Sequence, residues 1–153
     1  MRIHSLSPTA IGKALGIGIV AAVLLSIIAI IGMRSGMSPL PEPLGLAFAK
    51  TLFGPVPLPV GLLLHLVYVT FWTVAYVALF RDNLSFLNAL GLGLFLWVLV
   101  VIIFFPVVGW GFLGLGVGPQ LIIGSLVPHI LFALFIWGLA RMVFRQRPQT
   151  GQA

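Results

Sequence analysis

His65 and His129 are ionisable side chains inside long apolar runs, and each stands in the same local pattern. Gly54-Pro55 ends ten positions before His65, and Phe71, Phe80 and Arg81 follow it. Gly118-Pro119 ends ten positions before His129, and Phe135, Phe144 and Arg145 follow it, so that every pair is offset by 64 positions. A titratable group in hydrocarbon is costly to keep, which makes an intramembrane imidazole a functional-site candidate by default. Two chemistries suit a pair of them. Neutral imidazoles at one depth on facing helices can hold haem b, with the small residues Gly61, Gly124 and Ser125 leaving room for the macrocycle. Imidazoles that titrate near neutral pH can instead serve a proton or small-solute pathway. The plainer alternative is that both histidines hydrogen-bond between helices and hold a bundle together.

The neighbours of the histidines extend the candidate site. Tyr68, Trp72 and Tyr76 follow His65 at i+3, i+7 and i+11, one stripe of a helix, with Thr73 beside it. Ser125 precedes His129 by four positions, and Pro128 denies the Gly124 carbonyl its usual backbone partner, freeing an acceptor near the His129 ring. Buried hydroxyls and imidazoles need partners in lipid, so Tyr68, Thr73, Tyr76 and Ser125 are predicted to face the bundle interior with the histidines. No metal site is complete. Two histidines lack a third ligand, since the only acids, Glu42 and Asp82, fall in loops. No catalytic residues can be assembled either: there is no Ser/His/acid set, no carboxylate pair and no phosphate loop. Gly109-Trp-Gly-Phe-Leu-Gly114 spells G-x-G-x-x-G, but it follows an apolar helix-length run and no acid comes about twenty residues later, so it reads as a turn. The absence of cysteine removes disulfides, thiolate metal sites and a thiol nucleophile. A non-enzymatic chain is expected, without a cofactor unless haem b occupies the histidine pair.

The elements that must position these residues are membrane spans. The chain of 153 residues is 61% hydrophobic and 7% charged, against roughly 25% charged in a soluble domain. Four segments reach the roughly 20 apolar residues a spanning helix needs, at about 11–33, 58–80, 86–108 and 121–144. The first is longer than a signal-peptide core and no A-x-A-like site follows it, so it reads as a retained helix. Between spans, residues 34–57 carry Pro39, Pro41, Pro43, Pro55 and Pro57 around Leu44–Phe53, a helix too short to span, lying at the interface or dipping into it. Arg2, Lys13, Arg81, Arg141, Arg145 and Arg147 flank one side, and only Arg34 and Lys50 the other, which predicts cytoplasmic termini in an inner membrane. The net charge of +6 belongs to these flanks. Without a basic patch interleaved with aromatics it does not indicate nucleic acid.

The reading is an all-α membrane protein of one domain: four transmembrane helices in two helical hairpins, the hairpins being a possible parallel internal repeat. The second and fourth spans then run in the same direction, with each histidine about 10–12 Å from the start of its span. Gly12, Gly16 and Ala22, with Gly18 and Ser26, form a ridge of small residues for close helix approach, within the bundle or with a homo-oligomeric or larger-complex partner. Trp110 and Phe112 read as interface anchors.

Short motifs along most of the chain resemble the YagU-like and related families of uncharacterised four-helix prokaryotic membrane proteins. They are Met37-Ser-Pro-Leu-Pro-Glu-Pro43, His65-Leu-Val-Tyr68, the span with Gly91, Gly93 and Trp97 ending at Pro106, and His129-Ile-Leu-Phe132. Val69, Thr70, Ala133 and Leu134 depart from the small residues usual after the histidine in such families. The resemblance implies the architecture and no particular activity. A structural or accessory subunit of a larger membrane complex is the leading expectation, with a haem b electron carrier and a solute or proton pathway as alternatives.

Overall fold

The computed structural model describes residues 6–144, and among these the regular structure is entirely helical, without a strand. Four helices are long and apolar enough to cross a membrane: α1 (Pro8–Arg34), α3 (Leu58–Phe80), α4 (Phe86–Val107) and α5 (Gln120–Val143). A shorter helix, α2 (Leu44–Phe53), lies between the first two spans. These bounds fall within a few residues of those the hydropathy pattern predicts. His4, Arg2, Arg145 and Arg147 lie outside the described residues.

Local chemistry sets the helix ends. Ser7 caps α1 by accepting from Ala10 N–H at 3.3 Å, with Pro8 in the first turn, where its missing donor costs nothing. Ser85 does the same for α4 through Asn88 N–H at 3.2 Å. Gly54 ends α2 at φ 76°, a conformation that only glycine adopts cheaply. Near its end α4 widens into a π-helical turn over Val100–Phe104, with Phe105 N–H donating to Val100 O. Pro106 accounts for the widening. It has no N–H to give and its ring crowds the preceding turn, so the ladder shifts register there.

α1 packs on α3, and α4 packs on α5, which gives the two hairpins expected. The hairpins meet through α1 and α5. Lys13 Nζ stands 5.9 Å from the centre of the Phe144 ring, joining the start of α1 to the end of α5 at the termini face of the bundle. The spatial order is therefore α3, α1, α5, α4, and the seam between α3 and α4 has little direct backbone packing. Side chains close that seam towards the termini: Trp72 meets Phe95 edge-on at 6.1 Å, and Tyr76 Oη donates to Ser85 O at 3.2 Å. Towards the Pro-rich face, α2 closes it. Ala47 of α2 shares a second core cluster with Val100, Val101 and Phe105 of α4, together with Trp110 and Leu121.

Close approach in the main core is made by small residues, as expected where lipid offers no hydrophobic drive between helices. Of the predicted ridge, Gly18 and Ala22 supply it, and Gly12 and Gly16 do not. α1 buries Ala10, Ala14, Ile17, Gly18, Ala21, Ala22 and Leu25, and a Cβ on Gly18 would lie 2.6 Å from Thr70 Cα. Gly12 and Gly16 are exposed with open space around them, whereas Ala22 is 1% exposed. Six residues at about 100° each turn Ala22 roughly 240° away from Gly16, so the three never share a surface. Trp110 is likewise not an anchor at the lipid boundary. It is 8% exposed and packs its ring 5.3 Å from Phe105, while Phe112 stays 59% exposed.

The second and fourth spans share only three of their six buried positions at the 64-residue offset, so burial does not establish the repeat. Gly61 and Ser125, Val69 and Ala133, and Tyr76 and Ala140 are all buried, each pair at the 64-residue offset of the histidines.

Candidate functional site

His65 on α3 and His129 on α5 are both half-buried, one in each of the matching spans. They start from α3 and α5, which have little direct backbone packing on each other. Each ring has a distinct environment. The Nδ1 of His129 is 2.7 Å from Ser125 O, close enough for Nδ1–H to donate to that carbonyl, which leaves Nε2 as the free acceptor nitrogen. The acceptor is Ser125 O, not the Gly124 carbonyl predicted from Pro128. It lies one helical turn behind the histidine on the same face, where the ring naturally folds back. On His65, by contrast, Nε2 is enclosed and has no hydrogen-bond partner.

The stripe on α3 faces inward as expected, with unequal roles. Thr73 and Tyr76 are fully buried. Thr73 Oγ1 donates to Val69 O at 2.8 Å and so serves its own helix. Tyr76 bridges to the α3–α4 turn through Ser85 O. Tyr68 follows His65 by three positions on α3. Its ring meets Trp72 at 6.3 Å and Phe104 at 5.9 Å, both edge-on, and its hydroxyl is enclosed without a hydrogen-bonded partner, the Trp72 indole standing outside bonding geometry.

Ser125 is a structural junction. Its hydroxyl donates to Ile122 O at 3.1 Å and accepts from Trp97 Nε1 at 3.2 Å, while that indole N–H also reaches Ile122 O at 3.1 Å. Trp97 therefore clamps α4 to α5 one turn before His129. One turn earlier on α4, Gly93 lies against the His129 carbonyl; a Cβ there would come 2.7 Å from that oxygen. Sequence alone does not assign Trp97 or Gly93 to the site, although their i, i+4 spacing places them on one helix face.

Residues 39–53 re-enter the bundle. Pro39 rests on Gly124, and the first turn of α2 lies across α3, where a Cβ on Gly61 would be 2.5 Å from Leu46 Cα. A Cβ on Gly45 would lie 3.3 Å from His65 Cβ, so α2 covers the first histidine directly. The short helix therefore dips to the level of His65, about 10 Å along α3 from Leu58. Irregular backbone at such depth is tolerated where protein buries it or where it lines a cavity. This overturns the space assigned to a macrocycle: Gly61 is filled by Leu46 and Gly124 by Pro39. Among the described residues no group of three His, Asp or Glu side chains converges on a metal position.

No protein-family model, curated protein or solved structure matches the chain.

Proposed function

We propose that this chain is a non-enzymatic, four-span protein of the cytoplasmic membrane that accepts a proton, or a small hydrogen-bonding solute, at the His65–His129 pair. Both termini face the cytoplasm in this reading, following the excess of Lys and Arg on the termini face. The observation that carries it is the unpartnered His65 Nε2. Leaving a buried polar nitrogen unsatisfied costs about 1–3 kcal/mol, and a leucine would fill a purely structural position without that cost. His129 supplies the complement, because Ser125 O fixes its Nδ1–H and turns the acceptor nitrogen free. One ring anchored and one ring unpaired form a site that can take up a proton or grip a solute with both donor and acceptor groups.

Proteoliposomes with a trapped pH dye test this. Wild-type protein should dissipate an imposed pH gradient, and His65→Ala and His129→Ala should each slow the initial rate by about ten-fold or more, the scale of losing a positioned proton carrier. A parallel series with small neutral amides reads the solute form. Rates equal to those of protein-free vesicles in every case, or equal in wild type and both variants, would remove the reading.

A second reading, an accessory or self-associating subunit, is favoured by one observation: Gly12 and Gly16 are exposed on α1 with nothing packed on them. Such a face suits a second helix. Gly12→Leu with Gly16→Leu should then shift the detergent-solubilised protein to a smaller assembly by light scattering. An unchanged mass would end association through that face.

A further inference from the structure

The re-entrant segment has the features of a moving cover. Its polar bonds close on themselves: Lys50 Nζ pairs with Glu42 at 2.6 Å, Thr51 Oγ1 donates to Ala47 O at 3.0 Å, and Ser38 Oγ accepts from Leu40 N at 3.4 Å. The Glu42–Lys50 pair ties the descending limb to α2, so that both limbs travel together. Against α3 and α4 the segment relies on van der Waals and ring contact, which separates at less cost than buried hydrogen bonds. Two glycine turns bound it. Gly36 at φ 73° follows α1, where Gly32 O holds Met37 N and Ser38 N, each at 3.0 Å, and Gly54 at φ 76° leads into α3.

There is space beside the segment, at its first turn and again at Lys50 and Gly54. A cleft of about 350 Å³ lies beside α2, lined by Ile30, Met33 and Arg34 of α1, Pro43 and Leu46 of the segment, and Leu58 of α3. On the opposite side stands Phe104, the last residue of the π turn, whose ring meets Phe48 at 5.2 Å and Tyr68 at 5.9 Å. The π turn decides where Phe104 points. An added residue per turn rotates the remainder of the helix, and such bulges concentrate where a helix must serve a site rather than its own ladder. The termini half beneath the histidines has no equivalent give: Val77, Ile136, Ala133 and Ala140 are fully buried there.

We infer that residues 39–53 are a lid over His65, hinged at the glycine turns of Gly36 and Gly54 and latched by Phe104 on Phe48, and that the histidine site opens to the Pro-rich face alone. This rests on the site reading above, but it concerns access and is tested without transport. The chain has no cysteine, so a single reporter cysteine needs no background removed. His65→Cys in sealed vesicles of known orientation is treated with a membrane-impermeant maleimide from either face. Leu52→Cys, 54% exposed at the far end of α2, serves as the freely labelled control.

Removing the latch by Phe104→Ala should raise labelling of His65→Cys from the Pro-rich face by about ten-fold, the scale of one lost ring contact on a local opening equilibrium. Labelling from the termini face should stay at its low starting rate. An unchanged rate, or an equal rise from both faces, overturns the lid. Should Phe104→Ala fail to accumulate, Phe104→Leu keeps the volume near native and carries the same comparison. If labelling is gated but no flux depends on the histidines, the lid stands and the site reading falls. If flux depends on His65 while labelling ignores Phe104, the site stands and the lid falls.

Discussion

Gly93→Leu should lower the stability of the bundle by about 1–3 kcal/mol or more, the usual cost of forcing extra carbons into a packed interior. A Cβ at this position would lie 2.7 Å from the His129 carbonyl oxygen and 3.3 Å from Ala133 Cβ. The first obstacle is backbone, which cannot swing aside as a flexible side chain would. Pushing α4 away from α5 would also strain the Trp97 clamp on Ile122 O and Ser125 Oγ. Gly91→Leu, two residues away, has open space around it and should cost far less. Thermal melts in detergent, followed by helical circular dichroism and tryptophan fluorescence, compare the two. Equal shifts would mean that the α4–α5 contact does not depend on the glycine.

Gly61→Leu should displace α2 and leave the spans standing. A Cβ here would be 2.5 Å from Leu46 Cα and 2.6 Å from Leu46 N, so the leucine must evict the first turn of α2 from the groove. The spans lose little, because α3 keeps its packing on α1 through Thr70 and Gly18. Alkylation of a Leu46→Cys reporter should quicken by about ten-fold or more, as for any segment whose local opening becomes the favoured state. The melting temperature should move much less than in Gly93→Leu. A large loss of melting temperature with Leu46→Cys still protected would show that α2 is part of the core and not separable from it.

These two glycines mark how far sequence reasoning reaches. G-x-x-x-G spacing points to Gly12 and Gly16, which the fold leaves exposed, and passes over Gly45 and Gly93, which it packs against backbone. Spacing tells which residues share a helix face, but not which face meets another helix. That depends on the order α3, α1, α5, α4, set by every helix at once. The same limit explains Trp110, whose aromatic character at a span end suits a lipid boundary as well as the inner cluster it joins. The space around the histidines differs from expectation for a related reason: Gly61 and Gly124 are small, but Pro39 and Leu46 arrive from a segment distant in sequence to fill it.

What the sequence determined by itself is considerable. Apolar runs of about 20 residues set the four spans, because backbone groups in hydrocarbon must be satisfied within helices. Proline and glycine placed α2 and its end at Gly54. Only the tertiary structure decided that one imidazole is anchored to Ser125 O while the other keeps an unpaired nitrogen, and that a re-entrant helix lies over it. Hydrocarbon favours any arrangement that hides polar backbone, so composition selects the helices. Where they touch is settled by small-residue contacts between segments far apart along the chain, and those contacts leave no local signal.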